Sequence, residues 1–186
     1  MQTSYYWSLQ HNELLEKLKQ IDIIEEGEHI GTQGGSVTDL IDLKIAYGEP
    51  EVGGIMASQL WLLMDPKPTC VAGMGDGGIP LAMLISDRQG IYYTSVRKKP
   101  KKYGTKRLFE GHQPQPGDVY ALVDDVRNTG GSLELMEARI IEAGATVSGC
   151  YVVIDRQNPK SKGEFKTLFT LDELRNCSSK IVNNNH

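Results

Sequence analysis

The chain has 186 residues, 39% of them hydrophobic and 24% charged, with a formal net charge of −4. That profile fits a soluble protein with one sizeable core, and the acidic balance argues against general nucleic-acid binding. No apolar run approaches the ~18 residues of a membrane span.

The opening MQTSYYWSLQHNELLEKL lacks the basic-then-apolar layout of a secretory signal, so a cytoplasmic protein is expected. Residues 8–20 place Leu9, Leu14, Leu15 and Leu18 on one face of a first amphipathic helix. Residues 27–50 are Gly-rich, then extended, then stopped by Pro50, and predict an irregular hairpin. A second helix is expected over 51–65 and ends at PKP. From there strands at 69–74, 90–96, 119–123 and 147–155 alternate with helices at 79–86 and 132–145. Such alternation implies a largely parallel sheet covered on both faces. A short helix, LDELRN, begins at Leu171. Cys70 and Cys150 lie in apolar runs, and with Cys177 they are too few and too scattered for a disulfide framework. The first two read as small core residues, not metal ligands. No linker divides the chain, and one domain over 1–186 is expected, with residues 1–50 before a core at 51–175.

Three stretches at one edge of that sheet carry chemistry. The first, Gly73-Met-Gly75-Asp-Gly-Gly78, follows a strand and opens a helix. It matches the GxGxxG dinucleotide pattern, but no acidic residue stands about 20 positions later to meet a ribose, where the chain reads YTSVRK. One reading is a tight turn and nothing more; the preferred reading is that Asp76, Gly77 and Gly78 turn backbone N–H groups toward an anionic phosphate.

The second stretch, RKKPKKYGTKR at 97–107, has seven cationic residues among eleven. Alone it resembles a nucleic-acid patch or a solvated loop. Its place beside the glycine turn, in a segment (97–117) without clear helix or strand, instead suits a mobile loop closing over a polyphosphate.

The third is LVDDVRNTGGS at 122–132. Asp124 and Asp125 end an apolar strand, where carboxylates can accept hydrogen bonds from vicinal sugar hydroxyls or hold magnesium through water. The hydroxyls of Thr129 and Ser132, with loop N–H groups, can cradle a phosphate at the start of the next helix. Together the three stretches describe a site for a phosphorylated sugar carrying a second anionic end.

LVDDVRNTGGS resembles the phosphoribosyl diphosphate (PRPP) signature of type I phosphoribosyltransferases. Within that superfamily the chain is most similar to orotate phosphoribosyltransferases over nearly its whole length. VAGMGDGGIPLAMLIS resembles the family's pyrophosphate-loop segment, VRKKPKKYG its mobile loop, and YVVIDRQN its last core strand. GEHIGTQGGSVTDLIDLK is similar to its N-terminal hood, and LFTLDEL to its closing helix. The resemblance implies an α/β type I phosphoribosyltransferase fold: a central, mostly parallel sheet flanked by helices, a small N-terminal hood and a mobile basic loop. It implies Mg²⁺ dependence and a homodimer in which loop 97–117 covers the neighbouring site.

By the same resemblance, PRPP would meet Asp76, Gly77, Arg97, Lys98, Lys101 and the run Asp124, Asp125, Val126, Arg127, Asn128, Thr129, Gly130, Gly131 and Ser132. Lys101, Asp124 and Asp125 would be catalytic. Arg156 would contact the carboxylate of the base, and Asn128 would touch the base. Ring nitrogen would displace pyrophosphate from C1 of the ribose through an oxocarbenium-like state. Two alternatives stay open: a purine or other base transferase, and a PRPP-sensing regulator without transfer activity. A regulator of that kind usually binds DNA through an added basic domain, whereas the first 30 residues here carry six acids against two lysines.

Overall fold

A computed structural model describes residues 2–30, 36–100 and 107–176. A helix α1 (Gln2–Gln20) leads into an antiparallel hairpin, β1 (Ile24–Ile30) and β2 (Ser36–Ile41), and a 3-10 helix (Leu43–Gly48). The core then runs α2 (Val52–Leu63), β3 (Cys70–Gly73), α3 (Gly75–Gln89), β4 (Tyr92–Val96), β5 (Phe109–Gly111) and β6 (Val119–Arg127). It ends with α4 (Gly131–Glu142), β7 (Thr146–Asp155), β8 (Lys166–Thr170) and α5 (Leu171–Asn176). No described helix is long and apolar enough to cross a membrane.

The six strands lie in the order β5-β4-β3-β6-β7-β8, all parallel except the β4–β5 pair. Alternation along the strands divides the core into two layers. Val71, Ala121, Val123 and Val153 face Leu14, Leu18, Met56, Leu60, Leu81 and Ile85 from the first three helices. Cys70, Ala72, Leu122 and Val152 face Leu133, Met136 and Ile140 of α4. With both faces covered, apolar runs such as VYALV are what the strands require. Cys70 and Cys150 are buried free thiols, as their apolar surroundings predicted, and burial pushes the Cys150 thiol up to about 11.

The chain leaves β3 toward β4 on one side and returns to β6 on the other, so the strand order reverses between β3 and β6. Ligands of open α/β sheets bind at such a reversal, outside the carboxyl ends of the strands.

Several sequence expectations need correcting. The helix expected over 79–86 begins at Gly75, so three glycines of the turn lie in its first turns. The strand expected over 119–123 continues to Arg127, because β7 pairs with it past the end of β3: Gly73 meets Val123, while Asp124 meets Val152 and Arg127 meets Asp155. Residues 109–111, expected to be irregular, form an edge strand on β4. The segment LFTLDEL is split: Phe169 and Thr170 belong to β8, a strand not anticipated, and the helix begins at Leu171.

Candidate active site

The two carboxylates sit where β6 outruns β3. Asp124 Oδ1 accepts from the Asp125 N–H at 3.1 Å, and Asp125 Oδ1 accepts from the Val126 N–H at 2.8 Å. Against them packs the first turn of α3, and glycine is what allows the approach. A Cβ built on Gly77 would lie 2.1 Å from Asp125 Cγ, and one on Gly78 would lie 2.9 Å from the carbonyl oxygen of Val123. Gly73 would meet the Gly78 carbonyl at 2.1 Å. The glycine cluster is therefore a close-packing device between helix and strands. Asp76 stands exposed in the same first turn of α3.

Burial, and then the charge of Asp125, push the Asp124 carboxyl well above its ordinary value. Burial also raises Asp125, opposed by the Val126 N–H, by Asp124 and by the charge of Lys44. Burial of two adjacent acids favours their protonated forms, and a cation bound beside them would favour the ionised ones.

The sequence reading missed two residues of the 3-10 helix that come to this place. Tyr47 donates its hydroxyl to the Gly77 carbonyl at 2.8 Å; burial first, then the charges of Asp125 and Asp124, raise its phenol. The Lys44 ammonium is paired with Asp42 at 2.6 Å, and that bond together with the charges of Asp125 and Asp76 holds it above the ordinary lysine value. No local motif marks either residue; only the tertiary fold brings them in.

Beyond Arg127 the chain turns through Asn128 and Thr129 to Gly130, whose φ of +88° caps α4. No side-chain hydrogen bond caps that helix end, which leaves the first-turn N–H groups pointing outward with the positive end of the helix dipole. They face a cavity of about 300 Å³ lined by Lys98, Asp124, Val126, Arg127, Asn128, Thr129, Gly130, Gly131, Ser132 and Leu133. Lys98 adds a positive charge that opposes the rise at Asp124. A neighbouring cavity of about 320 Å³ runs along Met74, Gly75, Arg97, Lys98 and Lys99. The two hollows share Lys98, and Asp124 lines the first of them, an arrangement with room for a ligand that has an anionic group at each end.

Several of the expected side chains are held by partners within the chain. The Arg127 side chain is buried under Phe165, with its guanidinium 3.6 Å from the ring centre, 3.5 Å from Asp155 and donating to the Lys162 carbonyl. Its backbone borders the cavity while its charge braces β6, β7 and the loop after them. Arg97 is paired with Glu110 of β5 at 2.8 Å. Asn128 accepts from Asn158 Nδ2 at 2.6 Å. Arg156 is paired with Asp39 of β2. Lys101 lies outside the described residues.

Two other features are not part of this site. A larger cavity of about 640 Å³ lies between α1, β1 and α5, lined by Leu18, Lys19, Ile24, Glu25 and Arg175 among others, and shares no residue with the acidic pair. At the opposite end of the sheet Cys70, His112 and Asp118 bring ligand atoms within 4.8 Å of one another. There His112 Nε2 and Asp118 Oδ2 are bonded directly at 2.8 Å, and Asp118 also accepts from the Gln115 N–H, so the group fastens the β5–β6 connection.

The arrangement of helices on the sheet is shared with solved structures. A phosphoribosyltransferase from Corynebacterium diphtheriae superposes with a TM-score of 0.76 at 24% identity, covering 89% of this chain and 98% of that one. The orotate phosphoribosyltransferase of Mycobacterium tuberculosis in complex with PRPP gives 0.69 at 21% identity, covering 89% and 91%. The fold is thus that of the phosphoribosyltransferases, with the signature loop at the reversal of strand order. No family model matches the chain. Its sequence is 35% identical to the orotate phosphoribosyltransferase of Methanocaldococcus jannaschii, covering 88% of this chain and 96% of that protein. The chain belongs to the orotate phosphoribosyltransferase family.

Proposed function

We propose that the protein transfers the phosphoribosyl group of PRPP to orotate, giving orotidine 5′-monophosphate and pyrophosphate. The observation that carries this reading is the pairing of Asp124 and Asp125 with the uncapped N-terminus of α4 at the strand-order reversal. The 5-phosphate takes the N–H groups and hydroxyls from Thr129 to Ser132, at the positive end of α4. The ribose hydroxyls lie against Asp124 and Asp125. The pyrophosphate lies toward the first turn of α3, with Asp76, Gly77, Arg97 and Lys98 beside it, and Lys101 arrives from a partner subunit's loop.

The residues present fit Mg²⁺. Two carboxylates in one crevice, both raised by burial and Asp124 further by the charge of Asp125, offer the hard oxygen donors that this ion takes, partly through water. When bound, the ion supplies neutralisation of the departing pyrophosphate, and PRPP itself is its main ligand. The chain's own contribution is positioning and fixed charge. Gly77, its carbonyl bonded by Tyr47, leaves room for Asp125 against α3, and the ionised pair supports positive charge developing at C1. Lys98 and Lys101 meet negative charge as the pyrophosphate leaves.

The reaction conserves its atoms: the C1–O bond to pyrophosphate breaks with its electron pair, a ring nitrogen of the base forms the new bond, and the proton that this nitrogen carried passes to ionised Asp125 or to the departing pyrophosphate. The base is tested by offering orotate, uracil, adenine, guanine and hypoxanthine with PRPP and Mg²⁺ and measuring pyrophosphate release. Release with orotate is expected; release with a purine alone would replace this reading by the purine one.

A further inference from the structure

Asp39 is an acid that the mechanism above does not use, and it is among the most deeply buried charged residues described, at 2% exposure. It sits on β2 of the N-terminal hairpin and reaches two arginines of the core. Its Oδ1 pairs with Arg156 Nη2, and its Oδ2 accepts from Arg175 Nη2 of α5. Its backbone carbonyl oxygen also lies 3.3 Å from both Nη1 and Nη2 of Arg156. An oxygen equidistant from the two terminal nitrogens occupies the fork between them. With Oδ1 on Nη2 as well, neither edge of the guanidinium has two free donors for a bidentate carboxylate.

Arg156 is held next to the acidic segment: its backbone N–H donates to the Arg127 carbonyl at 3.0 Å. One carboxylate is therefore shared between two guanidiniums, and the cluster carries a surplus of one positive charge. We propose that Asp39 is a specificity-determining residue that competes, from within the chain, with the carboxylate of the base for Arg156. The inference rests on the orotate reading. An acidic base must displace Asp39 from the Arg156 fork, helped by the surplus charge; a neutral base neither displaces it nor profits from it. Arg175 sets the strength of the competition, because it draws one oxygen of Asp39 away.

The test is steady-state kinetics of Asp39→Asn and Arg175→Ala with orotate, uracil and PRPP, on protein whose fold is verified by circular dichroism. Removing the Asp39 charge should lower KM for orotate roughly tenfold, the size of an ordinary coupling between groups that share a site. KM for PRPP should stay within twofold, and so should KM for uracil. Arg175→Ala, on a side chain that is 44% exposed, should act oppositely and raise KM for orotate several-fold. An unchanged or raised orotate KM in Asp39→Asn would overturn the proposal and make Asp39 a residue that merely orients Arg156. If that variant does not fold, Arg175→Ala decides alone, and an unchanged or lower orotate KM overturns it. If the wild-type chain releases no pyrophosphate with orotate, the base reading has failed. The inference then survives only if Asp39→Asn gains orotate-dependent release, and falls if it does not.

Discussion

The carboxylate of Asp125 occupies the space that a side chain on Gly77 would need, with only 2.1 Å between a Cβ built there and Asp125 Cγ. Helix α3 and strand β6 therefore meet at a point where neither can give without moving the acid. Gly77→Ala should displace Asp125 and disturb the bond from Tyr47 to the carbonyl of residue 77. A loss of about 1–3 kcal/mol in folding stability is expected from such overpacking. Turnover should fall further, on the order of 100-fold, because misplacing a positioning group by about an ångström costs that much. Urea denaturation beside kcat/KM measures both; wild-type turnover in a folded Gly77→Ala protein would show that this contact does not position the acid.

Asp124 and Asp125 should oppose folding when ionised. Their carboxyls bind protons more tightly in the folded chain than in the unfolded one. The sign follows from proton linkage: a raised acid costs nothing well below its unfolded value and progressively more as pH rises through its folded value. Asp124→Asn with Asp125→Asn should thus leave stability well below pH 3.8 little changed and raise it at neutral pH by roughly 0.5–2 kcal/mol. Thermal unfolding at a series of pH values reads this directly. A double variant that is less stable than wild type at neutral pH would mean that the acids are structural.

Much of this site was legible locally, and what was missed has a physical reason. VYALV followed by DDVRNTGGS announces a strand, an acidic end and a helix start within fourteen residues. The real length of β6 was hidden, because its last residues are held by β7, a partner that local periodicity does not show. The glycine turn was readable as a backbone approach, but not as the seat of Asp125, since that contact joins β6 to a helix about fifty residues earlier. Tyr47, Lys44 and Asp39 belong to a segment whose pattern suggested only an irregular hairpin. β8 was lost because KTLFT is short and follows a polar, Gly-containing stretch. Arg127, placed among the ligand contacts by the family resemblance, turns its charge under Phe165 instead.

Lys101 can be tested by sharing between subunits. Lys101→Ala should lower kcat and kcat/KM together while leaving stability within about 0.5 kcal/mol, as for a charge that serves the ligand and not the fold. Mixing those subunits with Asp124→Asn/Asp125→Asn subunits should restore part of the activity, since some mixed dimers would combine an intact loop with intact carboxylates. If exchange is verified and the mixture stays as inactive as its components, the loop does not serve a neighbouring site.

The central claim is that the acidic pair and the start of α4 form one PRPP site, and calorimetric titration tests it most directly. PRPP with Mg²⁺ should bind the wild-type chain at one molecule per subunit and stabilise it by roughly 2.7 kcal/mol at a hundred times Kd. NADPH should give neither heat nor stabilisation. Asp124→Asn/Asp125→Asn, still folded, should weaken PRPP binding at least tenfold. Equal PRPP affinity in the wild type and in that folded variant would contradict the account, and so would binding of NADPH with none of PRPP.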